Sequence, residues 1–176
     1  NPGQRDYPFC LHARYETQRA ILGDVVAALH LQGIRKLIIV NGHGGNSFKN
    51  MIRDLSVDFP DFLIAITNWY GIVPQEGYFE NKDDHAGELE TSVMMYYHPE
   101  LVNLEEAGEG TSKPFALSSL NAQIAWLPRY WSKVSADTGI GDPRKSTPEK
   151  GERYAKAVIE KLALLFTEIG SKEVYL

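Results

Sequence analysis

The feature that most constrains this chain is the short apolar run Leu37-Ile38-Ile39-Val40, ended abruptly by Asn41-Gly42. Four consecutive apolar, largely β-branched residues with no alternation predict a strand buried on both faces, the kind found in a parallel sheet. Residues 62–67, reading FLIAIT, carry the same signature. Between the two, Phe48, Met51, Ile52 and Leu55 fall on one stripe of a helix that starts after Asn46 or Ser47. Ahead of the first run, over residues 15–31, Ile21, Leu22, Val25, Val26, Ala28 and Leu29 recur at helical spacing, and Gln32-Gly33 supplies a stop. Strand, helix and strand at such short intervals predict βαβ units with right-handed crossovers.

The flanking segments read less sharply. Residues 1–14, with Pro2, Gly3 and Pro8, form an irregular lead-in. A long loop through Pro74, Gly77 and Asn81 leads to a helix over residues 86–97, stopped by His98-Pro99. Residues 100–148 are irregular, with a strand near 130–135 and a Gly/Pro-rich stretch at 138–148. A final helix spans 149–169, with Ala155, Val158, Ile159, Leu162, Leu165 and Phe166 facing inward. The expected fold class is therefore α/β, as one domain over residues 1–176. Two or three visible strands leave its sheet incomplete.

Composition removes several function classes. The chain has 176 residues, 43% hydrophobic, with 18 basic against 23 acidic side chains and a net charge of -5. That length buries roughly 70% of the unfolded surface, enough for a core without staples. Basic residues are scattered rather than gathered in a stripe, which argues against a nucleic-acid partner. No apolar run approaches the roughly 18 residues of a membrane span, and the start is no signal peptide. One cysteine, Cys10, excludes an internal disulfide and fits a reducing, cytoplasmic setting. The chain opens on Asn1 without an initiator Met, as expected of a processed N-terminus or the downstream part of a longer protein.

Two segments carry chemistry. The hexapeptide Asn41-Gly42-His43-Gly44-Gly45-Asn46 sits at the carboxyl end of the first strand, where open α/β sheets bind ligands. Its glycines allow positive φ and close backbone approach. Three readings stand: a solvated βα turn, a phosphate cradle at a helix N-terminus, and a metal-binding imidazole at His43. The loop lacks the Lys-Ser/Thr ending of a P-loop and the spacing of a dinucleotide site. No G-x-S-x-G elbow is present, so a serine hydrolase has no support.

The second segment, residues 83–92, packs four acids and a histidine into the start of a helix. Acids there complement the helix dipole, which accounts for Asp83, Asp84 and Glu88. Glu90 shares spacing with Val93, Met94 and Tyr97, so its carboxylate is expected to turn inward, where it needs a cation, a metal or a proton. Glu88 is expected to lie outside that face, as a supporting or solvated group. His43 and Glu90 together make half of a metal site. His30 and His98, both at helix ends, and His12 read as structural, and Cys10 as a small packed residue.

These residues carry a resemblance. Residues 38–46 followed by His85-Ala86-Gly87-Glu88-Leu89-Glu90-Thr91-Ser92 look like the creatininase (creatinine amidohydrolase) family. Thr138-Gly139-Ile140-Gly141-Asp142-Pro143, then Glu149-Lys150-Gly151-Glu152, resemble its C-terminal signature in the same order. The resemblance implies a three-layer α/β/α fold around a mostly parallel sheet. It also implies a two-metal centre (Zn2+, Mn2+ or Fe2+) and hydrolysis of amide C–N bonds, including creatinine ring opening, formamide hydrolysis and peptide trimming. Carried over by position, His43 and Glu90 match metal ligands. His85 matches the histidine that hands a proton to the leaving nitrogen. Gly44, Gly45, Asn46, Trp69 and Glu88 fall at positions expected to face substrate. A small-molecule substrate and a homo-oligomer, hexameric by resemblance, complete the expectation.

Two departures from the family pattern sharpen it. The early Glu-x-His-Gly run and its following Asp have no counterpart in these 176 residues. The expectation is that an N-terminal ligand-bearing part of the complete protein is absent, and that this chain alone is metal-poor and nearly inactive. Creatininases proper carry Tyr and Glu where Gly44 and Gly45 stand, and Trp where Asn81 stands. The expected substrate is therefore a small cyclic amide or formamide-like compound other than creatinine. A catalytically inactive relative and a flavodoxin-like phosphate-binding module are the competing readings.

Overall fold

The computed structural model describes residues 2–81 and 84–175. Asn1 of the lead-in and Asp83 of the acid-rich segment lie outside the described residues. The elements in order are α1 (Tyr15–Leu31), β1 (Lys36–Asn41), α2 (Lys49–Asp58), β2 (Leu63–Asn68), α3 (Glu88–Tyr97), α4 (Ser118–Asn121), α5 (Trp131–Val134) and α6 (Pro148–Ser171), with single 3-10 turns between. The class is α/β, as the strand–helix–strand pattern requires. The chain divides into two compact units, residues 12–72 with 158–176 and residues 1–11 with 73–157.

In the first unit β1 and β2 pair in parallel, Lys36 opposite Leu63 through Asn41 opposite Asn68. Strand parity puts Leu37, Ile39 and Ile64 on one face, and there they meet Val26, Leu55 and Phe62 from and around the two helices. Each such side chain contributes about 1.5–3 kcal/mol on full burial. The strands are not buried on both faces, contrary to the sequence expectation. Val40 is 46% exposed, and Asn41 and Ile64 are the strand residues that are closed off. The described sheet has two strands, so each keeps an unpaired edge, and one face carries the packed cluster. On the other face Lys36 donates to the carbonyls of Ile169 and Lys172.

Helix α1 stops where the sequence says it should. Gly33 takes left-handed backbone at φ +84°. The amides of Gly33 and Ile34 return to the carbonyls of His30 and Leu29, the bonding pattern of a Schellman cap. Of the periodic positions, Leu22, Val26 and Leu29 face the core, whereas Ile21, Val25 and Ala28 are exposed.

The second unit has no sheet among its described residues. Its centre is α3 against the first turns of α6, with Leu89, Tyr154, Ala155 and Trp131 buried. A Cβ on Gly151 would lie 2.0 Å from the carbonyl oxygen of Ser92, so α6 passes α3 at a distance only glycine permits. Three expectations are corrected here. Residues 131–134 form helix α5 rather than a strand, since no neighbouring strand offers a ladder. The buried face of α3 is Glu88, Leu89 and Ser92, not Val93, Met94 and Tyr97, of which Met94 and Tyr97 are exposed. In α6, Ile159 and Phe166 are likewise exposed rather than inward.

Candidate active site

The loop after β1 is organised by one buried side chain. Asn41 donates through Nδ2 to the carbonyl of His43 at 2.9 Å and to Asn68 Oδ1 at 2.8 Å. Its Oδ1 accepts from Asn46 Nδ2 at 3.0 Å and from the His43 amide at 3.3 Å. A fully bonded amide at a strand end closes the loop without any charge. None of Gly42, Gly44 and Gly45 uses left-handed backbone, so their positive-φ freedom is not what this turn needs. Gly44 instead leaves room beside Tyr70, whose hydroxyl would stand 3.6 Å from an added Cβ. Trp69 donates from Nε1 to the Gly42 carbonyl at 3.2 Å.

This geometry bears on what the loop can bind. The Gly45 amide donates to His43 Nδ1 at 2.9 Å, and the Asn46 amide to the His43 carbonyl at 3.1 Å. With the His43 amide also engaged, three backbone donors are satisfied internally. Helix α2 begins only at Lys49, so the loop is not a phosphate cradle. A neutral His43 that accepts at Nδ1 carries its proton on Nε2. To serve as a metal ligand the ring would give up the Gly45 bond, leaving Nδ1 for the ion and the Nε2 proton for an acceptor.

The segment before α3 is held by distant partners. His85 forms a two-way backbone bridge with Ile140, at 2.9 and 2.8 Å. Its ring meets the buried Trp131 edge-on at 4.9 Å. The Arg129 guanidinium covers the same indole at 4.9 Å and pairs with Asp84. Ala86 then takes left-handed backbone at φ +53°, a conformation that costs a residue with a Cβ roughly 1–2 kcal/mol. Glu90, at the third helical position, reaches back to the Ala86 amide at 2.7 Å. The same oxygen lies 3.8 Å from His85 Nδ1.

The two glutamates therefore exchange the places expected of them. Glu90 is half-buried, its side chain 29% exposed, because the third position of a helix bends its carboxylate back over the open N-terminus. Glu88, expected beside substrate or solvent, is 0% exposed. Its Oε2 accepts from the amides of Glu80 and Asn81 at 2.9 and 2.8 Å, and its Oε1 from Lys150 Nζ at 2.5 Å. Both oxygens are committed to the fold. The Glu88 carboxylate, then Glu80, hold the Lys150 ammonium above its usual range.

The described residues do not amount to a metal site. His43 and Glu90 are donors of suitable chemistry, but they belong to separate units. Among the described residues no group of three or more His, Cys, Asp or Glu side chains could hold an ion. Of the other histidines, His30 pairs with Asp61 at 2.9 Å and His98 with Glu100 at 3.1 Å. Sequence reasoning missed Trp131, Arg129 and Lys150. Lys150 stands within the C-terminal signature, whereas Arg129 and Trp131 lie ahead of it and outside both motifs.

Comparison with known proteins gives the chain its family. The chain is 30% identical over 129 residues to a mycofactocin precursor peptide peptidase of Mycobacterium ulcerans (strain Agy99), covering 71% of this chain and 45% of that protein. It thus spans less than half the length of this relative. The crystal structure of a protein assigned as a creatinine amidohydrolase, from Bacteroides fragilis NCTC 9343, superposes with a TM-score of 0.96 at 62% identity. That match covers 100% of this chain and 70% of the other. A manganese form of creatininase shares the fold, with a TM-score of 0.72 at 20% identity over 94% of this chain and 68% of that one. The family model for creatininase, creatinine amidohydrolase, runs through residues 1–166, and with it the chain belongs to the creatininase family.

Proposed function

We propose that the protein hydrolyses the C–N bond of a small cyclic amide or formamide-like substrate, with His85 as the group that protonates the departing nitrogen. The observation that carries this reading is the His85–Glu90 pair at 3.8 Å. The carboxylate faces the ring Nδ1 and helps to hold the imidazole in one orientation. Trp131 and the Ile140 bridge limit how far the ring can swing. Water adds to the carbonyl carbon, the C–N bond breaks, and His85 delivers the proton that turns a poor amide anion into a neutral amine.

A requirement for divalent cations, Zn2+, Mn2+ or Fe2+, belongs to the same reading and is supported by the manganese form of the similar creatininase. His43 and Glu90 are the candidate ligands this chain offers, and such a site needs donors beyond the two. Assembly into a homo-oligomer is part of the proposal and is read by light scattering. A peptide bond is the second substrate class, favoured by the identity to the peptide peptidase. The experiment is turnover of a formamide, a lactam and a short peptide, before and after chelation and metal return. Metal-restored hydrolysis of the first two supports the proposal. Cleavage of the peptide alone replaces it with the second reading, and no turnover of any leaves the non-catalytic relative.

A further inference from the structure

The Glu88–Lys150 pair is a buried charge arrangement that the proposed reaction does not use. Natural folds retain such pairs at a cost, since desolvation offsets most of the attraction between the ions. Its surroundings are asymmetric. Lys150 Nζ also donates to the Lys145 carbonyl at 2.8 Å and to Glu80 Oε1 at 3.2 Å, while Lys145 holds the other Glu80 oxygen at 2.5 Å. Ser146 Oγ donates to the Glu88 carbonyl at 3.2 Å, and the Thr147 amide to Ser92 Oγ at 3.3 Å. The Ser92 contact falls on the second turn of α3 and the Glu88 contacts on the first. That turn carries Glu90, whose carboxylate holds the Ala86 amide and faces His85.

We propose that Lys150 is a positioning residue for the proton-donating pair: by neutralising buried Glu88 it fixes the first turn of α3, and with it the placement of Glu90 against His85. This rests on the reading of His85 given above. The effect of Lys150 passes through Glu88 and the helix backbone. Loss of the ammonium leaves an unpaired carboxylate at the base of that turn. The turn must then open towards water, which displaces the Glu90 carboxylate.

The test compares the full chain with its Lys150→Met and Lys150→Arg variants. It uses backbone hydrogen exchange and turnover of two amides, one with an alkylamine and one with an activated aniline leaving group. In Lys150→Met, exchange over residues 84–92 is expected to rise about tenfold while helix α1 is unchanged, as for a local opening. Alkylamide turnover should fall at least about tenfold and anilide turnover less than about threefold, because a misplaced proton donor matters most for the poorest leaving group. Lys150→Arg, which keeps the charge, should recover most of both. Unchanged exchange over 84–92, an equal rise in α1, equal loss on both amides, or an arginine variant as impaired as the methionine one overturns the proposal. If Lys150→Met does not fold, Glu88→Gln reads the same segment without an unpaired buried charge: faster local exchange supports the proposal and unchanged exchange overturns it. If the unmodified protein cleaves neither amide, the functional reading fails, and the exchange measurement alone decides the role of Lys150.

Discussion

The loop at residues 41–46 and the segment at residues 84–92 both present a histidine, yet they are held in opposite ways. The first is closed mainly by its own neutral hydrogen bonds around Asn41, with Asn68 and Trp69 as partners farther along the chain. The second is fixed by charge and by residues 129–150: Arg129 on Asp84, Trp131 and Ile140 on His85, Lys150 on Glu88. A locally closed loop survives changes elsewhere in the molecule. A segment held by distant partners responds to each of them, which suits a group that must be placed against a reacting bond.

This contrast can be broken from either side. The largest effect is expected from Gly151→Ala, because the added Cβ meets backbone at 2.0 Å and no side chain can give way. A loss of about 3 kcal/mol or more in denaturant unfolding is predicted, with the 84–92 segment loosened while the 41–46 loop is retained. Asn41→Ala attacks the other region. Removing a buried hub leaves several polar partners unmet and should cost about 1–3 kcal/mol, with faster exchange confined to the loop. Equal disturbance of both segments by either variant would end the distinction between them.

Gly33→Ala is a milder control outside both regions. Its left-handed cap should cost about 1 kcal/mol in thermal or denaturant unfolding and leave both histidine segments unaltered. Asp142→Asn gives the smallest effect, and one that disappears in acid. The Arg144 guanidinium and amide hold the Asp142 carboxyl at about 2, below the ordinary 3.8. A lowered folded value means the contribution is fully present above 3.8 and fades as pH falls towards 2. The variant lacks that contribution, so it should be slightly less stable than the unmodified protein at neutral pH and converge with it as pH falls towards 2.

The same division explains what the sequence disclosed. Helix α1, strand β1 and strand β2 were legible because apolar spacing and the Gln32-Gly33 stop are local signals. The Asn41–Asn46 turn was visible for the same reason. The roles of Glu88 and Glu90 were not. Helical spacing pointed Glu90 inward on the face of Val93 and Met94, whereas the partners that decide the buried face, Ser146, Lys150 and Gly151, stand far along the chain. Residues 131–134 read as a strand because an aromatic, polar alternation looks alike in a short helix whose Trp131 is buried against His85.

The most direct measurement is turnover by His85→Ala with and without imidazole added to the buffer. Proton donation by His85 predicts a fall of about 10²–10⁴ in kcat with the thermal transition nearly unmoved, and partial recovery as free imidazole supplies the missing proton. A His85→Ala protein that hydrolyses its amide at the unmodified rate, or whose loss imidazole leaves untouched, would contradict the account.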